Sequence, residues 1–385
     1  MLQVAVRNPK RRNRDATVRG RAGERRGLDL LTHGRPDGVR PPTAGRLHPA
    51  PRFVRGTLAC LLCGVALAGC APIDKWLATY HVERGESLMR ADDLETALAE
   101  FREAAQLDPQ LAVAHSNMGV IYRRMGDYEQ AIECFVNAIR FDPFDFADTL
   151  NLAQLYHFTQ RLRDAVQAYL HAVELRPDHF EAQLNLGVCY QQLGDHTQAV
   201  YYFQRAIELD VNRPHAYANL GVALDSQGKH YEAVRAYKEA LERDSRQPLV
   251  LVNLAQAYMK QNRLKMARQA LTQAIRMDGD LAAASEAMGY CLFQMRDFKE
   301  AATFYRRALV CEPHLPRAHA GLGSISMLLF REDKTQTGYR DQALEHWHRS
   351  LELDPDQPRI RKLIAKYHPK QGDPEETLLN GRAPR

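Results

Sequence analysis

The sequence carries no glycine-rich loop able to cradle a phosphate, no Ser, His, Asp set inside a recognisable local motif, and no histidine pair at the i, i+4 spacing of a helical metal site. His346 and His348 of "HWH" are two residues apart, so on a helix they point to different faces. These absences leave no reason to expect an enzyme, a metal, a cofactor or a small-molecule substrate. No uncharged apolar run reaches the ~20 residues that a membrane-spanning helix needs. The seven cysteines show no pairing by spacing. Cys60 and Cys63 lie inside one short apolar run and Cys70 closes it, while Cys134, Cys189, Cys291 and Cys311 stand at isolated points. Packing is the expected role of those four, with a Cys291 to Cys311 bridge left open.

A basic working surface is also missing. The formal net charge is +5, but residues 1–55 alone hold fourteen Lys or Arg against four Asp or Glu, and residues 70–385 are net −5. Phosphate-backbone binding requires a basic face, so nucleic acid is not an expected partner. Residues 1–55 are rich in Arg, Gly and Pro and have no structural period. They read as a basic, disordered extension, or as a segment upstream of a true start near Val54. From Val54 the chain runs "VRGTLACLLCGVALAGC": one Arg, an uncharged and largely apolar run over 56–69, then Cys70. That length suits a signal-peptide core. Leu67-Ala68-Gly69-Cys70 resembles the bacterial lipoprotein box, in which cleavage precedes the Cys and its thiol is acylated. The resemblance implies a signal peptide over 54–69, lipidation at Cys70 and export to a membrane-anchored position facing the periplasm. Ala71 after the Cys, in place of Asp, points to the outer membrane, and residues 70–77 then form an anchor and short linker. The alternative is a short buried or signal-like apolar helix in a cytoplasmic protein.

What the chain does have is a period. Asn117, Asn151, Asn185, Asn219 and Asn253 are spaced by 34 residues. In the same register, Gly85, Gly119, Ala153, Gly187, Gly221, Ala255, Gly289 and Gly323 occupy position eight of units that start at Ala78, Ala112, Phe146, Phe180, Pro214, Pro248, Ala282 and Pro316. Position twenty is Ala from Ala97 to Ala343, with an eight-residue insertion in the last unit, and position twenty-four is aromatic or Leu from Phe101 to Trp347. Each unit reads as two helices, with small residues at eight and twenty letting the axes approach and the residue at twenty-four filling space between neighbouring units. "GDY" and "GDH" place a left-handed Gly126 or Gly194 after the first helix and Asp127 or Asp195 as N-cap of the second. Pro109, Pro143, Pro177, Pro313 and Pro355 stop the second helix, and the joints at Val211, Ser245 and Gly279 are expected to be looser. "PRIRKLIAKYH", 358–368, is an amphipathic helix placed to cap the stack over 358–369, with a tail at 370–385.

This pattern resembles the tetratricopeptide repeat family over residues 78–357. The resemblance implies an all-α, right-handed superhelical solenoid of about eight helix pairs that binds other proteins or extended peptides. In that family, positions two, six, nine and thirteen of the first helix line the inner groove. Here position six is the asparagine series, and position nine is Val120, Gln154, Val188, Val222 and Gln256. An amide offers a donor and an acceptor, which suits an extended peptide backbone; local hydrogen bonding is the competing role. The family's dicarboxylate clamp would need Lys and Asn where Val82 and Glu86 stand. Position twelve becomes Met259, Phe293 and Met327 at the far end, a candidate apolar partner patch. The resulting expectation is an envelope adaptor. A pilotin-like assembly factor for type IV pilus, secretion or polysaccharide export, and a recognition module for a separate glycosyltransferase, are the alternatives.

Overall fold

The computed structural model describes residues 71–368, all of whose regular elements are helices. Cys70, the apolar run before it and the tail after His368 lie outside the described residues. The described residues divide into two compact units, one ending at Gln110 and one starting at Leu111. The first holds α1 (Ala71–Arg90) and α2 (Leu94–Leu107). The second holds α3 (Ala112–Met125), α4 (Tyr128–Phe141), α5 (Phe146–Phe158), α6 (Leu162–Leu175), α7 (Phe180–Leu193), α8 (His196–Leu209), α9 (Pro214–Ser226), α10 (His230–Arg243), α11 (Pro248–Lys260), α12 (Leu264–Met277), α13 (Ala282–Gln294), α14 (Phe298–Cys311), α15 (Pro316–Glu332), α16 (Thr337–Leu353) and α17 (Pro358–Tyr367).

Seven unit starts read from the period coincide with seven helix starts, from Ala112 to Pro316. Proline opens α9, α11, α15 and α17, where its fixed φ suits the first turn and its missing N–H would have had no helical partner. The first unit departs from the expectation: α1 begins at Ala71, so residues 71–77 are helix and not an extended linker. The sequence there offers no break, and Asp74 sits in the first turn where the helix dipole favours an acid.

The turn between the paired helices is set at one position. Asp92, Gly126, Gln160, Gly194, Gly228, Asn262 and Arg296, 34 apart, all have φ between 59° and 84°. Asp127 and Asp195 then cap the second helices as expected, accepting from the N–H of Gln130 and Gln198. The joints between repeats carry a second device beside the expected proline. Where proline is absent, Asp210, Asp244 and Asp278 accept from the N–H of Asn212, Arg246 and Asp280. Asp108, Asp142 and Asp354 make the same bond beside Pro109, Pro143 and Pro355. Where that Asp is replaced, by Arg176 or Glu312, proline follows at Pro177 or Pro313. Each joint thus has at least one of the two devices.

The residue at twenty-four packs against the first helix of its own repeat and, as expected, against the next repeat, Phe135 on Leu152, Tyr169 on Leu186 and Phe203 on Ala216. A Cβ on Gly187 would lie 2.7 Å from the Phe203 ring and one on Gly323 would lie 2.6 Å from Trp347, so glycine is what lets the ring lie flat against the first helix. Tyr305 also touches the next repeat at Gly321. The insertion in the last repeat lengthens α15 and α16 to 17 residues each, leaving a short turn at Asp333–Gln336 held by the Asp333 carboxylate. The cap forms as expected: Ile360 is buried, with Leu363, Ile364 and Tyr367 against the Trp347 cluster. Cys134, Cys189 and Cys291 are buried and Cys311 is exposed, and none of the four is in a disulfide, so no Cys291 to Cys311 bridge forms. Burial pushes the Cys189 thiol up to about 12, which keeps it a protonated packing group.

Candidate functional site

Within the second unit, the first helices of successive repeats approach one another directly, α7 to α9, α9 to α11, α11 to α13 and α13 to α15, while the second helices make no comparable approach. The first helices therefore line the inside of the curve, and the asparagine stripe lies on them. Its members are not equivalent. Asn117, Asn151 and Asn185 are half-buried, whereas Asn219 and Asn253 are only 7% and 3% exposed. Position nine follows the same gradient: Gln154 is exposed, Val120, Val188 and Gln256 are half-buried, and Val222 is buried at 3%. The open part of the stripe thus lies at α3, α5 and α7, with the exposed side chains of Val113 and Phe158 beside it.

The amides also serve the fold. The Oδ1 of Asn151 accepts from Arg123 Nη1 at 2.6 Å, joining α3 to α5, and Asn185 lies within hydrogen-bonding reach of the Tyr169 hydroxyl. The amide at position six is therefore partly a cross-repeat brace, so the expectation of a row of amides facing only the groove fails at Asn151 and Asn185 through these bonds and at Asn219 and Asn253 through burial. Asn219 and Asn253 therefore present little of their amides to a peptide lying on this face.

Two buried carboxylates on this face were not singled out from the sequence. Asp225 of α9, its side chain 3% exposed, takes Lys260 Nζ at 2.9 Å and His230 Nδ1 at 2.6 Å, tying α9 to α11. Asp148 of α5 accepts from Ser116 Oγ of α3 at 2.5 Å, and burial raises its pKa to about 6 despite that bond. No motif marks either one; only the register of α3 on α5 and of α9 on α11 creates them.

At the far end, Met259, Phe293 and Met327 do not form an apolar surface patch. Met259 is 8% exposed in the core of the neighbouring repeats, Met327 is 4% exposed, and Phe293 packs on Phe298 with ring centroids 5.4 Å apart. Phe293 and Met327 instead line a cavity of about 470 Å3 bounded by α13, α15 and α17. His319 and His346 are brought together, Nδ1 to Nδ1 3.2 Å, but no group of three metal-type ligands exists among the described residues.

The family model described as the cilia and flagella-associated protein 70 C-terminal domain, a tetratricopeptide-repeat model, matches residues 66–321, more than half of the chain. No curated protein sequence matches. Among solved structures, the APC/C hetero-tetramer Cut9-Hcn1 is similar at a TM-score of 0.52 and 15% identity, over 72% of this chain and 53% of that one. The C-terminal part of a TPR repeat-containing protein from Cytophaga hutchinsonii is similar at a TM-score of 0.52 and 17% identity, over 63% of this chain and 99% of that one. The MamA protein gives a TM-score of 0.42 at 22% identity, over 44% of this chain and 92% of that one. The first two likenesses speak to the fold: a stack of antiparallel helix pairs.

Proposed function

Because the chain belongs to the tetratricopeptide-repeat family of the cilia and flagella-associated protein 70 C-terminal domain, we propose that it is a non-catalytic protein–protein interaction scaffold that holds an extended segment of a partner along its first-helix face. The observation that carries this reading is the open stripe across α3, α5 and α7, where Asn117, Gln154, Asn185 and Val188 present amides and a valine, flanked by Arg123 and the exposed Glu181. Such a surface suits a peptide backbone and makes sequence-tolerant contacts with its side chains. A photo-crosslinking residue in place of Gln154 should capture one linear stretch of a partner in cells, while the same residue in place of the exposed Val136 on the second helix α4 should not. Equal capture at both positions would remove the groove from the reading.

The envelope setting is part of the same proposal. It is supported by the LAGC tetrad behind an uncharged run, and it makes the partner an exported or membrane-associated protein. No helix among the described residues is long and apolar enough to cross a membrane; in this setting the attachment point is the Cys70 lipid that the tetrad suggests. Mass spectrometry of the mature N-terminus should find an acylated Cys70. An N-terminus at Met1, or a Cys70→Ser protein that fractionates like the wild type, would overturn it.

A further inference from the structure

The first-helix face ends against the cap. There the cavity of about 470 Å3 falls within the ~300–1,000 Å3 of ligand pockets. Its apolar side includes Phe293, Met327, Leu328 and Leu363, with the buried Trp347 behind them. Three arginines line it, Arg317, Arg331 and Arg359, against one acid, Glu286. Arg317 Nε is 3.2 Å from Glu286 Oε1 and is thereby engaged. Arg331 and Arg359 are exposed and have no ion-pair partner among the described residues. An apolar wall beside two uncompensated cations complements a ligand with a carboxylate next to an aliphatic side chain. The place of the cavity says what kind of molecule brings that chemistry. Tyr290 and Ser324 hold position nine in α13 and α15, and Phe293 and Met327 hold position twelve, so the wall continues the same first-helix face that carries Gln154 and Gln256.

We propose that this cavity anchors an acidic, aliphatic stretch of the bound partner segment, with Asp or Glu on Arg331 and Arg359 and Leu, Ile or Met on Phe293 and Met327. The inference rests on the groove reading but names a separate contact, and it gives a selectivity that the amide stripe cannot. The amide stripe tolerates many sequences, whereas the cavity discriminates by charge and apolar shape.

The same chemistry occurs in this chain at Glu375, Glu376, Leu378 and Leu379, so the test must separate the two sources. A fluorescent heptapeptide GEESLLG is titrated by anisotropy into the full chain, into a chain carrying Arg331→Glu and Arg359→Glu, into one carrying Leu378→Ser and Leu379→Ser, and into one carrying Asn117→Ala, Asn151→Ala and Asn185→Ala. Saturable binding to the wild type is expected. The double arginine variant, or a GQQSLLG peptide, should weaken it at least tenfold, with melting unchanged because both arginines are exposed. The asparagine variant should bind the heptapeptide like the wild type, since so short a peptide reaches only the cavity. No saturable binding, or equal binding by the charge-reversed chain, overturns the cavity while leaving the groove reading to its own test. Binding seen only after the Leu378 and Leu379 changes would assign the cavity to the chain's own segment and overturn the partner assignment.

Discussion

Replacing Gly221 with Ala would place a methyl group where Tyr237 now lies. An ideal Cβ there is 2.5 Å from Tyr237 Cε1 and 2.6 Å from Cδ1, and the ring is 1% exposed, so it cannot swing into solvent. Alanine gains about 1 kcal/mol of helix propensity over glycine. Forcing an extra methyl into a packed core costs about 1–3 kcal/mol, and the contact here lies deep inside the forbidden range. The net expectation is destabilisation by about 1–2 kcal/mol. The third repeat bounds the effect from above, because Ala153 lies over Tyr169 there with both buried, so the two helices can open slightly. The sixth repeat supplies the rescue: its pair is Ala255 and Leu271, both 0% exposed. Tyr237→Leu alone should leave a void and cost about 2–4 kcal/mol. Combined with Gly221→Ala it should recover about 1–3 kcal/mol relative to the sum of the two changes, because the residues share one contact. Urea unfolding midpoints of the full chain measure this, provided the slope is unchanged. Additivity within about 0.5 kcal/mol, or a stabilising Gly221→Ala, would refute the idea that ring and glycine are one packing unit.

Asp148→Asn should stabilise the protein at high pH and not at low pH. The folded carboxyl has its pKa raised from 3.8 to about 6, so its favourable contribution is complete below about pH 4 and is lost as pH rises through 6. The variant should gain up to about 3 kcal/mol over the wild type at pH 8, with the gap closing by pH 4. Lys260→Met should cost about 1–3 kcal/mol by removing one partner of the buried Asp225 carboxylate, and adding Asp225→Asn should restore part of it. Gln160→Gly should stabilise the protein by about 0.5–1 kcal/mol, read as a higher urea midpoint at unchanged slope, since Gln160 holds φ 63° at a position where three other repeats place glycine.

The repeat boundaries were legible because the small residues at eight and twenty are dictated by contact between two helices of the same unit, a short-range requirement that recurs unchanged. The caps at Asp127 and Asp195 and the left-handed glycines at Gly126 and Gly194 were legible for the same reason. The burial of Asn219 and Asn253 was not, because it depends on how closely α7, α9, α11 and α13 approach one another, which no single repeat encodes. At the joints of Val211, Ser245 and Gly279 the missing proline was legible but the carboxylates of Asp210, Asp244 and Asp278, which hold the turn there, were not singled out. Met259, Phe293 and Met327 look like a patch because they share position twelve of three successive first helices, yet packing against neighbouring helices takes Met259 and Met327 into the core. The cavity beside Arg331 and Arg359 exists only where α17 closes on α15, so it has no signature in either segment alone.

The central claim is that partners lie along the inner, first-helix face. Its most direct test uses the partner captured at Gln154 and compares its affinity for three full-length chains: wild type, Val113→Arg with Gln154→Arg at exposed positions of that face, and Val136→Arg with Val310→Arg on exposed positions of the second helices α4 and α14. Two bulky cations in the open stripe should weaken binding at least tenfold, while the second-helix pair should leave it within twofold of wild type and all three chains should unfold at similar urea concentrations. Equal binding by the inner-face variant, or loss confined to the second-helix variant, would contradict the account.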